Sequence, residues 1–402
     1  MPLLRNFVDV QVLRGMRAFL SLEVGVIRGA LPAVGERHEQ EQSKKDEEIA
    51  KLRRRLGETR GELAELKAAG SAANLRDDVP IFFVIGSPKS GTTWFNRMVD
   101  KHPEVLCRGE GWFFGRNDRN ETFEKVQANN LGQLLRPGSL HNTLAECEHL
   151  RTWIERTWWS RDEDVEQHIT NLTGEAVRYF LTQKLAKTGK KIVGDKTPLQ
   201  SANILREIDE MLPEAKIIHV IRDGRDVAVS HTHHRWNRVR SVEEGGRLTL
   251  EEQDKRDRYR ENPEAFVASG ESIFSDEYIM TTAKGWRANV GNTHRDGPSV
   301  LGDRYTEIRY EDLLDRTEEE MARLFRFIGA SDDEAVVRRC INKNRFEKVA
   351  GRQEGSEDST SFFRKGVAGD WQNVFTKRDR QIFWQVAGDL LVELGYQKDP
   401  KG

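Results

Sequence analysis

Two short apolar runs stand out against a polar background. Pro80-Ile81-Phe82-Phe83-Val84-Ile85 is unbroken, and Ile217-Ile218-His219-Val220-Ile221 is interrupted only by His219. Runs this short without alternation predict strands buried on both faces, as in a parallel sheet. Arg304 to Tyr310 is a further strand candidate, and Lys191-Ile192-Val193-Gly194 a shorter one. Between them the period changes to that of helices. Phe95, Met98 and Val99 share one face of a helix opening at Thr92, with Trp94 at its flank. Ile204, Leu205 and Ile208 mark a helix over Ser201 to Met211, and Thr317 to Ile328 is strongly amphipathic. A helical stretch rich in Trp, Glu and Arg is expected over about residues 120–187. Strands alternating with helices predict an α/β fold, a mostly parallel sheet flanked by helices. Residues 240–275, highly charged and containing Gly245-Gly246 and Pro263, read as an insertion over that sheet.

The N-terminal pattern is different. Residues 1–35 form an apolar stretch broken by Arg5, Asp9, Arg14, Arg17 and Glu23, which is neither a signal-peptide core nor a membrane span. It fits an amphipathic helix lying on a membrane surface, or one packed on the protein or a partner. Over residues 36–70, Ile49, Leu52, Leu56, Thr59, Leu63 and Leu66 recur three and four apart. That is a coiled-coil seam, through which a homo-oligomer is expected, or else a solvated linker helix. Gly70 to Asp78 leads into a main domain expected over residues 78–400.

Composition narrows the chemistry. The chain has 402 residues and a net charge of −2, which gives no support for a nucleic-acid binder held by bulk charge. The three cysteines, Cys107, Cys147 and Cys340, form no CxxC pair, so neither a disulfide framework nor a zinc site is expected. A reducing, cytoplasmic location fits, with peripheral membrane contact through residues 1–34 as an option. His231 and His234 are one turn apart, but no carboxylate or cysteine nearby completes a metal set, so these histidines read as structural.

The ends of the two apolar runs carry the candidate chemistry. The first run enters Gly86-Ser87-Pro88-Lys89-Ser90-Gly91 and then a helix. This layout points backbone N–H groups and a helix dipole at an anion. An ATP-type loop would place lysine directly after the second glycine. Here Thr92-Thr93 follow, and the lysine, Lys89, lies inside the loop. The second run ends in Arg222, where an NTPase places a magnesium-binding carboxylate. A cation there favours another anion, and Ser230, two turns on, can add a hydroxyl. Asp223 is placed to cap the following helix, with Asp226 three residues on. A third element, Arg364-Lys365-Gly366-Val367-Ala368-Gly369-Asp370-Trp371, combines two cations with two glycines that let backbone amides approach a phosphate. Two anion pockets at neighbouring strand ends suit a nucleotide phosphorylated on both its 5′ and 3′ sides.

With these motifs the chain resembles the sulfotransferases that use 3′-phosphoadenosine-5′-phosphosulfate (PAPS), a P-loop-like fold, over roughly residues 80–376. Pro88-Lys89-Ser90-Gly91-Thr92-Thr93-Trp94 is similar to their 5′-phosphosulfate loop, and Lys216 to Ser230 to their 3′-phosphate strand and helix. Phe363 to Asn373 is similar to the C-terminal signature of the cytosolic branch, and Arg309-Tyr310-Glu311-Asp312-Leu313 to a common family segment. The resemblance implies that Pro88, Lys89, Ser90, Gly91, Thr92 and Thr93 hold the 5′-phosphosulfate, and that Arg222, Ser230, Arg364, Lys365 and Gly366 hold the 3′-phosphate. Trp94 and Phe346 would flank the adenine, since a purine needs a flat apolar face. The cytosolic branch has a Lys-Thr-His tripeptide with a histidine base. Here the matching stretch is Asp195-Lys196-Thr197-Pro198, and proline cannot accept a proton. His102-Pro103-Glu104-Val105 to Gly109-Glu110 resembles the region that supplies a glutamate in the carbohydrate-modifying branch. Glu110 is therefore the expected base, with Asp195 second. Lys89 and Lys196 are the expected catalytic cations, and no metal is needed.

The expected reaction is sulfuryl transfer to an acceptor hydroxyl on a small molecule or on a carbohydrate or glycan-like acceptor, releasing 3′,5′-ADP. Trp153, Trp158, Trp159 and Trp286 read either as rings for stacking on the acceptor or as core. Two other readings compete: a P-loop small-molecule or nucleoside kinase, and a coiled-coil scaffold with an inactive nucleotide-binding domain. Missing lysine after Gly91 argues against the first, and intact Lys89 and Arg222 against the second.

Overall fold

A computed structural model describes residues 50, 51, 55, 79–115, 139–198, 203–238, 248–342, 344 and 367–397. The expected N-terminal helical segment and, but for residues 50, 51 and 55, the coiled coil lie outside these residues, as do Phe346, Arg364, Lys365 and Gly366. The chain divides into two units, Met1–Asn74 and Leu75–Gly402. In the first, Ala50, Lys51 and Arg55 are helical. The second carries a five-stranded sheet.

All the pairings in that sheet are parallel, in the order β2-β3-β1-β4-β5. The strands are β1 (Ile81–Gly86), β2 (Val105–Gly109), β3 (Ile192–Pro198), β4 (Lys216–Ile221) and β5 (Tyr305–Arg309). From Ile81 on, the first apolar run becomes the central strand, and every residue of that strand is buried. Its side chains alternate between two cores, as the period of two demands. Phe82 and Val84 join Phe95, Met98, Leu324 and Phe325 on one face. Ile81, Phe83 and Ile85 join Val177, Leu205 and Ile208 on the other.

The larger helices are α1 (Thr92–Asp100), α2 (Val165–Leu185), α3 (Ile204–Met211), α4 (Gly224–Arg238), α5 (Asp276–Leu301), α6 (Thr317–Ile328) and α7 (Lys377–Glu393). Helices α1 and α6 cover the first face, while α2 and α3 cover the second. A third core joins α4, α5 and α7 and includes Trp286 and Phe383. Helix α6 matches its predicted bounds, and α3 its core residues.

Three differences from the sequence reading matter. The short strand expected to stop at Gly194 runs on to Pro198, so Asp195 and Lys196 lie on β3. The charged stretch 240–275 contains two helices, Leu250–Glu261 and Pro263–Ala268. The first is fixed by a capping box in which Thr249 and Glu252 serve each other's backbone N–H groups. The stretch 120–187 is not one helical run among the described residues but Leu140–Ala145, Glu148–Arg156 and α2, with a turn that exposes Trp158 and Trp159.

Candidate active site

Strands β3, β1 and β4 are neighbours, and their C-terminal ends bring three candidate segments side by side. Chain order changes direction around β1, and the crevice outside such strand ends is where open α/β sheets bind ligands. The loop after β1 turns back on itself, its Ser90 N–H donating to the Ser87 carbonyl at 3.1 Å. Lys89 and Gly91 both take left-handed backbone conformations, with φ of 73° and 89°. At Gly91 this is obligatory for a second reason: a Cβ there would lie 2.3 Å from the ring of Tyr310. Gly91 is also the N-cap of α1, and no side chain among the described residues caps that helix. Its first N–H groups, with the positive end of the helix dipole, face the loop.

The buried hydroxyl of Ser90 finds no hydrogen-bond partner among the described residues. Nor does the buried Nε of Arg222. Buried polar atoms are normally paired, so two such orphans at one strand-end crevice mark room for an anion.

Arg222 joins the two cradles directly. Its Nη1 donates to the carbonyl of Lys89 at 3.2 Å and its Nη2 to the carbonyl of Val367 at 3.2 Å. The guanidinium stacks on Tyr310, 4.5 Å from the ring centroid, and Tyr310 meets Trp94 edge-on at 6.0 Å. Trp94 is fixed through its Nε1, which donates to the carbonyl of Asn344 at 2.9 Å. Ser230 lies half-buried on α4. The neighbouring His231 is held below the ordinary imidazole value by burial first, and then by the positive charges of Lys89 and Arg235.

Beyond β3 lies the second group. Lys196, almost wholly buried, donates from Nζ to Glu110 Oε1 at 2.5 Å, and the Glu110 side chain is about half exposed. Gly109 permits this contact, since a Cβ there would meet the Lys196 side chain at 2.9 Å. Asp195 is spoken for. Its carboxylate accepts from the Gly111 N–H at 3.1 Å and the Thr197 hydroxyl at 2.6 Å. Burial pushes its carboxyl up, against those hydrogen bonds. Glu104 lies away from this group, accepting from the Ser331 N–H at 2.9 Å. Trp286 is core, its Nε1 donating to the Arg222 carbonyl at 3.1 Å, whereas Trp153, Trp158 and Trp159 are exposed. His233 is buried between Trp236 and Tyr259, and among the described residues no cluster could hold a metal. No helix among them is long and apolar enough to cross a membrane.

Sequence reasoning left two contributors without a role and gave a third, Asp226, a different one. Tyr310 underlies Arg222 and fills the space beside Gly91. Glu311 accepts the Asp223 N–H at 3.0 Å. Asp226 binds the C-terminal loop rather than its own helix terminus. The Arg-Tyr-Glu-Asp segment was the available signal for the first two.

The nodulation protein NoeE of Sinorhizobium fredii is 24% identical over 79% of this chain and 66% of its own length. A flavonol sulfotransferase-like protein of Flaveria bidentis is 25% identical over 45% of this chain. The chain matches only 55% of that relative's length, and 41% of that of a putative protein-tyrosine sulfotransferase of Caenorhabditis briggsae. Among solved structures, mouse sulfotransferase SULT7A1 complexed with PAP aligns with a TM-score of 0.41 and 15% identity, over 78% of this chain and 83% of that one. The sulfotransferase domain family matches residues 80–395, most of the chain, and the protein belongs to that family.

Proposed function

We propose that the chain transfers a sulfuryl group from PAPS to an acceptor hydroxyl and releases 3′,5′-ADP. The observation that carries this reading is the contact between Arg222 and the Lys89 carbonyl, which makes two cationic cradles parts of one crevice. The N-terminus of α1, Ser90, Thr92 and Thr93 would receive the 5′-phosphosulfate. Arg222 and Ser230 would receive the 3′-phosphate, with Arg364, Lys365 and Gly366 completing that pocket. Trp94 and Phe346 would flank the adenine.

In the transfer, the acceptor oxygen forms a bond to sulfur as the bond from sulfur to the bridging phosphate oxygen breaks. The electron pair of the broken bond leaves on the 5′-phosphate. Glu110 takes the acceptor proton. Its neutralisation loosens its hold on Lys196, whose ammonium is then available to the sulfuryl oxygens. Lys89 offsets charge on the bridging oxygen, and such placed cations stabilise charge that develops in the transition state. Asp195, already accepting two hydrogen bonds, serves to hold the Gly111 backbone beside Glu110. A glutamate rather than a histidine base favours a carbohydrate-like hydroxyl as acceptor, and the exposed Trp153, Trp158 and Trp159 offer faces on which sugar rings stack.

A transfer screen with radiolabelled PAPS against sugars, phenols, sterols and lipids tests this reading. Label is expected in a sugar acceptor, at a rate unchanged by excess chelator, because lysine and arginine carry the neutralising charge. Turnover of Mg-ATP with no transfer from PAPS would replace the reading with that of a kinase.

A further inference from the structure

Asp226 occupies the position from which a third-residue acid closes a capping box on the N-cap, here Asp223. It does not close one. The Asp223 N–H goes to Glu311 Oε1 at 3.0 Å, and the Asp223 carboxylate accepts the Arg225 N–H at 2.9 Å. Asp226 is left to bind something else. Its two oxygens accept the N–H groups of Gly369 at 2.7 Å and Trp371 at 2.9 Å, more than 140 residues away in the chain.

Other contacts from the same helical turn reach the same loop. Arg222 lies 3.6 Å from the Asp226 carboxylate and donates to the Val367 carbonyl. Arg225 sits 3.6 Å over the centroid of the Trp371 ring. Its guanidinium is itself fixed by Asp223, the Tyr396 carbonyl and Gln397. Asp226 is 1% exposed. A buried carboxylate is an expensive way to hold a loop, since an apolar contact of similar volume often serves stability as well. Burial accordingly pushes its carboxyl above the ordinary value, against the pull of Arg222. What the carboxylate supplies and an apolar residue does not is direction: it orients Arg222 and two backbone amides at once.

We propose that Asp226 is a positioning residue that locks Arg222 and the loop Val367–Trp371 into one anion-binding unit, and so sets the preference for a nucleotide bearing a 3′-phosphate. The inference rests on the donor reading above. It assigns Asp226 no contact with the nucleotide.

Calorimetric titration of the full chain with 3′,5′-ADP and with 5′-AMP tests it. Wild type is expected to bind 3′,5′-ADP more tightly than 5′-AMP. Asp226→Asn keeps one acceptor oxygen and loses the charge. It is expected to weaken 3′,5′-ADP binding about 10–100-fold, the scale of a hydrogen bond to a charged group, and to leave 5′-AMP binding unchanged. In turnover the KM for PAPS rises while kcat is retained, and Asp226→Glu restores part of the discrimination. Equal losses for both nucleotides, or no loss for either, overturn the proposal. Should Asp226→Asn fail to fold, amide hydrogen exchange on the wild-type chain decides. The Gly369 and Trp371 amides are expected to gain protection with 3′,5′-ADP and not with 5′-AMP, and equal protection by both refutes the lock. A wild-type chain that binds neither nucleotide removes the donor reading itself, and this inference with it.

Discussion

Replacing Glu110 by glutamine is expected to lower kcat by about 10²–10⁴-fold, the usual contribution of a general base. The KM for the donor should stay near its wild-type value. Glutamine is nearly isosteric, and its amide oxygen can still accept from Lys196 Nζ, now 2.5 Å from Glu110 Oε1. The substitution therefore removes the proposed proton acceptor while keeping the contact with Lys196. Glu110 is about half exposed, so a change there places little demand on the core. Single-turnover rates with saturating donor are the measurement, because they separate chemistry from product release. An unchanged rate would take Glu110 out of the mechanism. Asp195 would not inherit the role easily. Its oxygens accept from Gly111 and Thr197, and its replacement would disturb the turn that carries Glu110.

The second large effect is expected at Lys89. Lys89→Ala should lower kcat by about 10²–10³-fold, the range found when one donor to a developing oxyanion is removed. The loop itself should survive. Its shape depends on the Ser90 to Ser87 hydrogen bond, on Gly91 against Tyr310, and on the backbone carbonyl of residue 89, which receives Arg222. None of these uses the lysine side chain. Binding of 3′,5′-ADP should fall much less than kcat, since the product no longer carries the sulfuryl group. A variant that loses nucleotide binding and rate in equal proportion would assign Lys89 to ground-state binding instead.

Much of the frame around these residues was legible because burial leaves a mark on sequence. Strands β1 and β4 are covered on both faces, so they read as continuous apolar runs. Helix α6 has one apolar stripe, Met321, Leu324, Phe325 and Ile328, and its ends were legible. Strand β2 was not legible: it has five residues at the sheet edge, and Arg108 and Gly109 are exposed. Strand β3 was read only as far as Gly194, because the residues that follow, Asp195, Lys196 and Thr197, are polar and end the apolar run although they are buried. Helix α5 escaped notice because Gly285, Gly291, Gly297 and Pro298 interrupt its pattern, and its packing against α7 overrides their poor propensity.

The site divides the same way. Lys89 and Arg222 could be singled out because each breaks a local pattern, a lysine inside a glycine loop and a cation at a strand end, while Lys196 and Glu110 were singled out only because their segments resemble those of known enzymes. The partners that aim them could not. Tyr310 under Arg222, Glu311 on Asp223, and Asp226 on Gly369 and Trp371 are contacts between residues more than 80 positions apart. Local propensity carries no information about such pairs. Asp226 was even expected to serve its own helix terminus, a role that Glu311 takes over.

A crystal structure of the chain with 3′,5′-ADP tests the central claim most directly. It should place the 5′-phosphate on the amides of Ser90 to Thr92 and the 3′-phosphate against Arg222, with one nucleoside spanning the gap. A nucleotide seated elsewhere, or one whose 3′-phosphate points to solvent away from Arg222, would contradict it.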